Sequence, residues 1–244
     1  MYAQEKINPY EGNAHKREQV EQLFDNIAPT YDALNHTLSF GFDRAWRRKA
    51  IRALAAYNPA SVLDVATGTG DFALAIAREL KLRQVTAVDI SEGMMSVGRE
   101  KAAREGLHDV VCFRKEDCCH LSFSDDSFDA VTVTFGVRNF ENLDACLCEM
   151  HRVLNKGGHL VLLELSYPHN RLWRFLFNIY SKVVMPVVGR IISGDDSAYT
   201  YLPETMAAFP QGEVMREILL KNGFSQVSFR RLTMGICTLY IAEK

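Results

Sequence analysis

A strand, a glycine turn and a helix follow one another without a break over residues 61–80, and this unit limits the folds open to the chain. "SVLDVA" is short and apolar, "TGTG" is the turn, and "DFALAIAREL" has apolar residues at helical spacing. A strand without polar alternation is buried on both faces. We therefore expect it to lie inside a parallel sheet with helices on each side.

The same alternation continues towards the C-terminus. Four further segments read as strands separated by helices or turns: "QVTAVDI", "VVCFRKED", "FDAVTVTFGV" and "HLVLLELSY". The helix "SEGMMSVGREKAAREG" has Ser91 as its cap and ends at Gly106. The last two strands, "SQVSFRRL" and "GICTLYIAEK", are joined by a turn, so we expect an antiparallel strand at the C-terminus.

Two helices are predicted before the first strand. Apolar residues at helical spacing in "HKREQVEQLFDNIAPTYD" indicate the first, which Pro29 ends. "FDRAWRRKAIRALAAY" indicates the second, with Asp43 as a candidate cap.

From about Pro168 to Pro210 the alternation of strands and helices breaks. "LWRFLFNIYSKVVMPVVGRII" is apolar, but three cations and Pro186 interrupt it. The cations are Arg174, Lys182 and Arg190. A transmembrane helix needs roughly 20 predominantly apolar residues with few charges. We therefore expect an insertion packed over a site, or a segment lying on a membrane surface.

Composition excludes some classes of function. The formal net charge of −2 gives no basic surface for nucleic acid, and 48% hydrophobic residues suit one domain of 244 residues. The polar N-terminus predicts no signal peptide, and none of the six cysteines forms a CxxC pair. We expect an intracellular protein with reduced thiols and no metal site.

The glycine turn indicates a nucleotide site, although glycines also serve simple tight turns. Gly68 and Gly70 let the backbone approach a ligand. Asp89 ends the next strand, 19 residues after Gly70. A carboxylate there can accept hydrogen bonds from both ribose hydroxyls, or it can cap the strand.

The acids near the turn distinguish between nucleotides. A dinucleotide fingerprint has a third glycine, and this chain has Ala73 at that position. Asp71 opens the helix, where an acid would repel a diphosphate, and Asp64 lies just upstream. Two acids suit a ligand with an ammonium and a sulfonium, which favours S-adenosylmethionine over a nicotinamide dinucleotide.

Longer motifs resemble a known family. "LDVATGTG", "KED" and "NKGGHLVLLE" are similar to the motifs of class I methyltransferases, with Ala66 where that class often has glycine. "FDNIAPTYDALNHTLSFGFDRAWRR", "TFGVRNFENLDACLCEMHRVLNKGGHLVLLELSYP" and "YTYLPETMAAFPQGEVM" resemble the demethylmenaquinone and ubiquinone-pathway C-methyltransferases. These stretches span nearly the whole chain in the same order.

The resemblance implies an α/β fold with a doubly wound, mostly parallel seven-stranded sheet and an antiparallel C-terminal strand. It implies a single methyltransferase domain over residues 1–244. Within it we expect a helical cap (1–58), a cofactor-binding half (59–167), a lid-like insertion (168–210), and a C-terminal helix with strands (211–244).

The resemblance also implies a cofactor site for S-adenosylmethionine. Thr69 would contact the cofactor, Asp89 its ribose and Asp117 its adenine amino group. Cys118 would supply backbone contacts, and Thr134 would line the pocket. The full set of expected cofactor-binding residues is Asp64, Gly68, Thr69, Gly70, Asp89, Asp117, Cys118 and Thr134.

Catalysis is expected from "GVRNF". Arg138 would favour the anion of the acceptor's ring hydroxyl, whose pKa would otherwise lie near the tyrosine value of about 10, and Asn139 would orient that hydroxyl. The alternative is that Arg138 pairs with Glu141 or Asp144 on the surface. His36 is a candidate base because imidazole titrates near pH 6.5.

The implied reaction is methylation of demethylmenaquinol to menaquinol, the last step of menaquinone biosynthesis. The alternatives are C-methylation of 2-methoxy-6-polyprenyl-1,4-benzoquinol in the ubiquinone pathway, both reactions, or binding of S-adenosylmethionine without catalysis. The expected partners are a polyprenylated quinol and a membrane surface, with no nucleic acid. We expect a cytoplasmic protein peripheral to the inner face of the cell membrane, with a homo-oligomer as a possible state.

Overall fold

The computed structural model describes residues 1–185, 187 and 197–244, and for 197–200 the backbone alone. The strands are β1 (Val62–Val65), β2 (Val85–Asp89), β3 (Val111–Lys115), β4 (Phe128–Thr134), β5 (Leu154–Leu165), β6 (Ser225–Leu232) and β7 (Cys237–Glu243). They form one seven-stranded sheet in the order β3-β2-β1-β4-β5-β7-β6. Strands β1 to β5 pair in parallel, and β7 runs antiparallel between β5 and β6. The predicted fold class is confirmed.

The helices are α1 (Lys16–Ile27), α2 (Tyr31–Leu38), α3 (Phe42–Ala55), α4 (Asp71–Leu80), α5 (Glu92–Arg104), α6 (Leu143–Val153), α7 (Arg171–Ile179), α8 (Ser197–Ala208) and α9 (Glu213–Lys221). A π-helical turn, Tyr180–Val184, continues α7, and 3₁₀ turns span Ala3–Lys6, Val137–Asn139 and Thr233–Gly235.

Two helix starts test the capping predictions. Ser91 caps α5 as predicted, because its hydroxyl accepts a hydrogen bond from the Met94 amide at 3.1 Å. The predicted cap Asp43 is wrong, since α3 begins after Gly41, whose left-handed backbone (φ +74°) turns the chain into the helix. The sequence reasoning also missed α2.

Side chains that alternate along the strands build a core on each face of the sheet. Leu63 and Val131 pack with the apolar faces of α6 and α9. Val62 and Ala130 pack on the opposite face with α3 and α4. Both faces are therefore covered, which explains why the strands lack polar alternation.

The N-terminal helices cover the carboxyl end of the sheet. Val20, Leu23 and Leu34 form a separate apolar cluster with Tyr201 of α8. Strand order reverses between β1 and β4, and in open parallel sheets ligands bind at such a reversal. The fold thus places the turn after β1 beneath a helical cover.

The predicted lid (168–210) is described in part. Residues 186 and 188–196, including Pro186 and Arg190, lie outside the described residues. Among the residues that are described, no helix is both long enough and apolar enough to cross a membrane.

Candidate functional site

A cavity of about 530 Å³ opens at the carboxyl ends of β1, β2 and β4. Its wall includes Gly68, Thr69, Asp89, Asp117, Cys118 and Thr134, all predicted as cofactor-binding residues. The structure therefore brings these residues to one place. Asp64 and Gly70 lie behind the wall.

The turn after β1 has its shape for two different reasons. Gly68 (φ +56°) lines the cavity, and its amide donates to Asp89 Oδ2 at 2.7 Å. Gly70 (φ +75°) packs against β3, where a Cβ would lie 2.6 Å from Phe113 Cζ. Gly70 is therefore required by packing, and Gly68 by the approach of backbone to the cavity.

Asp89 has both carboxylate oxygens anchored. Besides the bond from Gly68, Oδ1 accepts from the Ser91 amide at 2.9 Å. Burial raises the pKa of this carboxyl, although the backbone donors favour the anion. Each oxygen keeps acceptor capacity, so the group can receive hydroxyl donors from the cavity.

Asp64 fixes the turn from below. It is completely buried, and its two oxygens accept hydrogen bonds from the hydroxyls of Thr67 and Thr132, each at 2.6 Å. Burial raises its pKa from 3.8 to about 6. Its carboxylate orders the turn and does not face the cavity.

Asp71 belongs to a charge network that connects the turn to the N-terminal helices. Lys101 pairs with Asp71, and Arg47 Nη1 lies 3.8 Å from Asp71 Oδ2. Burial opposes ionisation of Asp71, but these two cations hold its pKa below the ordinary value. Asp71 is therefore not the unpaired acid on which the sequence argument relied.

Thr69 extends this network to α2. Its hydroxyl donates to Asp32 Oδ1 at 2.6 Å, and Asp32 Oδ2 accepts from Lys101 Nζ at 2.8 Å. The cavity turn and the helical cover are thus bonded through partly buried polar groups, a connection that sequence spacing did not reveal.

Asp117 lies between two donors at the opposite end of the cavity. Its Oδ2 accepts from Arg17 Nη1 at 2.8 Å, and its Oδ1 accepts from the Cys119 amide at 2.9 Å. Burial opposes ionisation, but these bonds and the Arg17 charge lower the pKa of Asp117. Arg17 also lines the cavity, a role that sequence reasoning missed.

A second cavity, of about 260 Å³, lies beneath α2, α3 and α7. Its wall is mainly apolar and includes Leu38, Phe42, Trp46, Trp173 and Leu176. Tyr31 and Phe135 line both cavities. Phe135 has a left-handed backbone (φ +60°), which is rare for an aromatic residue and marks a constrained position.

Arg138 lines the second cavity from the 3₁₀ turn Val137–Asn139. It is buried, and its Nη1 donates to Glu164 Oε1 at 2.7 Å. Pairing with Glu141 or Asp144 is therefore wrong, and the partner Glu164 was missed.

Two buried polar atoms near this turn have no hydrogen-bond partner among the described residues. They are Arg138 Nε and Asn139 Oδ1, a donor and an acceptor. Asn139 lines the first cavity while Arg138 lines the second. A polar ligand group between the cavities could satisfy both atoms.

His36 lies outside both cavity walls. Its Nδ1 is 2.7 Å from Asp43 Oδ2, and its Nε2 is 3.8 Å from Asp71 Oδ2. This placement makes His36 a link in the network between α2, α3 and α4. Its role as a base stays a prediction.

The cysteines depart from the expectation of reduced thiols. A disulfide joins Cys119 to Cys146 of α6, and Cys118 Sγ lies 3.0 Å from Cys146 Sγ. The expectation is therefore wrong for this pair. Cys119 and Cys146 are 27 residues apart, so no local spacing motif could indicate the contact.

Comparison with known proteins identifies relatives over the full length. The ubiE/COQ5 methyltransferase family matches residues 13–244. The demethylmenaquinone methyltransferase of Bacteroides fragilis is 60% identical, with 100% of this chain and 99% of that protein covered. The ubiquinone/menaquinone biosynthesis C-methyltransferase UbiE of Geobacter sulfurreducens is 42% identical, covering 94% and 90% respectively.

Solved structures support the fold. The cyclase SpnF superposes with a TM-score of 0.68 at 20% identity, covering 93% of this chain and 96% of SpnF. Phosphoethanolamine N-methyltransferase 2 of Haemonchus contortus, solved with S-adenosyl-L-methionine, gives 0.60 at 18% identity, covering 81% and 52%. Similarity at this level of identity shows the architecture alone.

Proposed function

The chain belongs to the ubiE/COQ5 methyltransferase family, and we propose that it methylates a ring carbon of demethylmenaquinol to give menaquinol. S-adenosylmethionine is the methyl donor. The observation that carries this proposal is that two cavities meet at Tyr31 and Phe135. The first has carboxylates and backbone amides in an otherwise apolar wall, and the second is mainly apolar. A charged donor and a lipid-like acceptor require two such environments in contact.

The first cavity fits the donor through the polar groups in its wall. Asp89 has acceptor capacity for the ribose hydroxyls, Asp117 for the adenine amino group, and the backbone near Cys118 for the ring. When bound, S-adenosylmethionine supplies an electrophilic methyl group. The chain's own contribution is to hold reacting atoms in line, which can supply roughly 7–11 kcal/mol of the rate acceleration.

The turn between the cavities would handle the acceptor. Arg138 Nε can donate to a ring oxygen, and Asn139 Oδ1 can accept the proton of a ring hydroxyl. The Arg138 contact favours an electron-rich ring, because a donor to the oxygen anion lowers the hydroxyl pKa. The Asn139 contact would orient the hydroxyl before it ionises. Glu164 balances the Arg138 charge, so the effect on the acceptor is mainly directional.

The reaction is tested with labelled S-adenosylmethionine and a short-tailed demethylmenaquinol under reducing conditions. We expect the unaltered protein to transfer label to the menaquinol, and an Arg138→Ala variant to do so at a much lower rate. A control variant at an exposed arginine outside both cavities, Arg83→Ala, should transfer label at the rate of the unaltered protein. Donor binding without label transfer would contradict the proposal and favour a non-catalytic binding protein.

A benzoquinol acceptor tests a second function in the same experiment. The name of the Geobacter sulfurreducens relative covers both ubiquinone and menaquinone biosynthesis. Label transfer to the short-tailed 2-methoxy-1,4-benzoquinol would assign both reactions to this chain. Transfer to demethylmenaquinol alone would restrict it to the naphthoquinol.

A surface beside the second cavity suggests how a prenylated acceptor arrives. Along α7 the side chains of Leu172, Phe175 and Ile179 are exposed, and Phe40 is exposed near the same cavity mouth. Residues 171–184 contain three cations and no acidic residue. We propose that this face lies on an anionic bilayer, with the cations at the head groups.

Vesicle flotation tests this contact. We expect the protein to float with phosphatidylglycerol vesicles, and a Leu172→Glu/Phe175→Glu variant to remain at the bottom of the gradient. A control, Val214→Glu, changes an exposed apolar residue on α9 and should float normally. Equal flotation of all three proteins would contradict the membrane contact.

A further inference from the structure

Three cysteine sulfurs lie close together in the wall of the first cavity, where the cofactor is proposed to bind. Cys118 and Cys119 lie in the loop after β3, and Cys146 projects from α6. The three Sγ atoms lie within 4.8 Å of one another. They form the cluster of metal-ligating atoms found in the part of the chain that the structure describes.

The spacing of these sulfurs suits a metal centre. Zinc–sulfur bonds are about 2.3 Å long, so tetrahedral ligation places two sulfurs roughly 3.8 Å apart. The Cys118 and Cys146 sulfurs lie 3.0 Å apart and all three sulfurs lie within 4.8 Å of one another, a range that includes this spacing. Because all three cysteines line the cavity, a fourth ligand position can face the cavity.

The surroundings favour a cation over bare thiolates. The carboxylates of Asp117 and Asp89 line the same cavity as the three cysteines, so they would repel thiolate anions there. A bound cation reverses this repulsion into attraction. Cys146 is completely buried, so its sulfur is also shielded from bulk solvent.

We propose that Cys118, Cys119 and Cys146, when reduced, form a thiolate site for a thiophilic metal ion of the Zn²⁺ or Cu⁺ class. A dithiol reductant supplies two electrons and two protons to the Cys119–Cys146 bond and itself becomes a disulfide. Each thiol then releases its proton to solvent as its sulfur binds the ion. No net oxidation accompanies the binding step.

The site has a consequence for the cofactor that rests on the proposed function. The loop carrying Cys118 is where the adenine ring is expected to bind. An ion held there changes the shape and charge of that wall. We expect the metal-loaded protein to bind S-adenosylmethionine about tenfold more weakly than the metal-free reduced protein.

The test uses the full-length protein, reduced and desalted without oxygen. Zn²⁺ is titrated in competition with a chromophoric chelator, and Cu⁺ in competition with bicinchoninate. We expect about one equivalent of ion per chain, a stoichiometry typical of a single thiolate site. A C112S/C148S variant, which alters exposed cysteines outside the cluster, should bind the ion as tightly as the unaltered protein.

Variants within the cluster decide the outcome. C118S and C119S should each lose the one tightly bound metal ion per chain. Circular dichroism and cofactor calorimetry report whether these variants remain folded. Metal binding equal in C118S, C119S and the unaltered protein would overturn the site. Reduced protein that binds neither ion and re-forms the Cys119–Cys146 disulfide would also overturn it.

Calorimetry with S-adenosylmethionine separates this proposal from the proposed function. Unchanged cofactor affinity in the metal-loaded protein would overturn the link to the adenine subsite. Absence of cofactor binding in the metal-free reduced protein would instead contradict the proposed function.

Discussion

The two cavities differ in the chemistry of their walls. The first cavity combines the turn after β1, the strand-end carboxylates of Asp89 and Asp117, and side chains from helices such as Arg17. The second cavity is walled mainly by helices, with apolar side chains such as Trp46 and Trp173, which lie 127 positions apart in the sequence. The polar groups at the strand ends of the first cavity depend largely on local chain geometry, whereas the second cavity depends on how distant helices pack.

This difference should separate the effects of mutations. Changes at the strand ends should alter donor affinity, and changes beneath the helices should alter turnover. Residues at the junction should alter both.

Arg138→Ala should have the largest effect. It leaves the buried Glu164 carboxylate without its partner, which typically costs about 3–5 kcal/mol of unfolding free energy. We expect turnover to fall with donor affinity nearly unchanged, measured by denaturation, kinetics and calorimetry. An Arg138→Ala/Glu164→Gln variant should regain stability but not turnover. Equal loss of turnover and donor affinity would mean that Arg138 is structural.

Asp64→Asn should change the pH dependence of stability. The raised pKa of about 6 means that the folded state favours the protonated Asp64. The stability that the protonated Asp64 contributes is complete below the unfolded-state pKa of 3.8, and it is lost as pH rises from there through about 6. Relative to the Asn variant, the unaltered protein should lose about 3 kcal/mol of unfolding free energy across this window. Parallel stability profiles for the two proteins would contradict this role.

Asp89→Ala should weaken binding of S-adenosylmethionine by about a hundredfold, since hydrogen bonds to a charged group contribute about 1.5–3 kcal/mol. Calorimetry measures this directly. Asp89→Asn, which keeps the shape and loses the charge, should have a smaller effect. An undiminished affinity in the Ala variant would exclude the ribose role.

Gly136→Ala should have the smallest effect of the four, on both sites together. An added Cβ would lie 2.6 Å from the Cβ of Ala66, and such overpacking costs about 1–3 kcal/mol. We expect modest losses of stability, donor affinity and turnover. The Ala66→Gly/Gly136→Ala variant should restore all three; a double variant as impaired as the single one would show that the contact is not the cause.

Much of the fold could be predicted because its signals are local. Apolar runs without alternation indicated buried parallel strands. After α9 two strands follow one another without an intervening helix, and this indicated the antiparallel strand at the C-terminus. The Ser91 cap was found from a single polar residue before a helical pattern. Asp43 satisfied the same rule and was wrong, because Gly41 starts α3 and Asp43 instead bonds to Ser39, His36 and Arg47.

The site was predictable to the extent that its residues follow strands. Gly68, Asp89 and Thr134 reach one cavity because parallel strands end at the same edge of the sheet. The assignment of Asp71 as an unpaired acid failed because its neutralising partners, Arg47 and Lys101, come from other helices. The cofactor-binding and catalytic roles of the predicted site residues stay predictions, which the experiments above test.

By itself the sequence determined the alternation of buried strands and helices, the antiparallel C-terminal strand and the glycine turn, since periodicity and turn chemistry act over a few residues. Tertiary structure alone decided that Arg138 pairs with Glu164, that Cys146 joins Cys118 and Cys119, and that Tyr31 and Phe135 stand between two cavities. These contacts join residues far apart in the chain, and their formation depends on the packing of whole helices against the sheet.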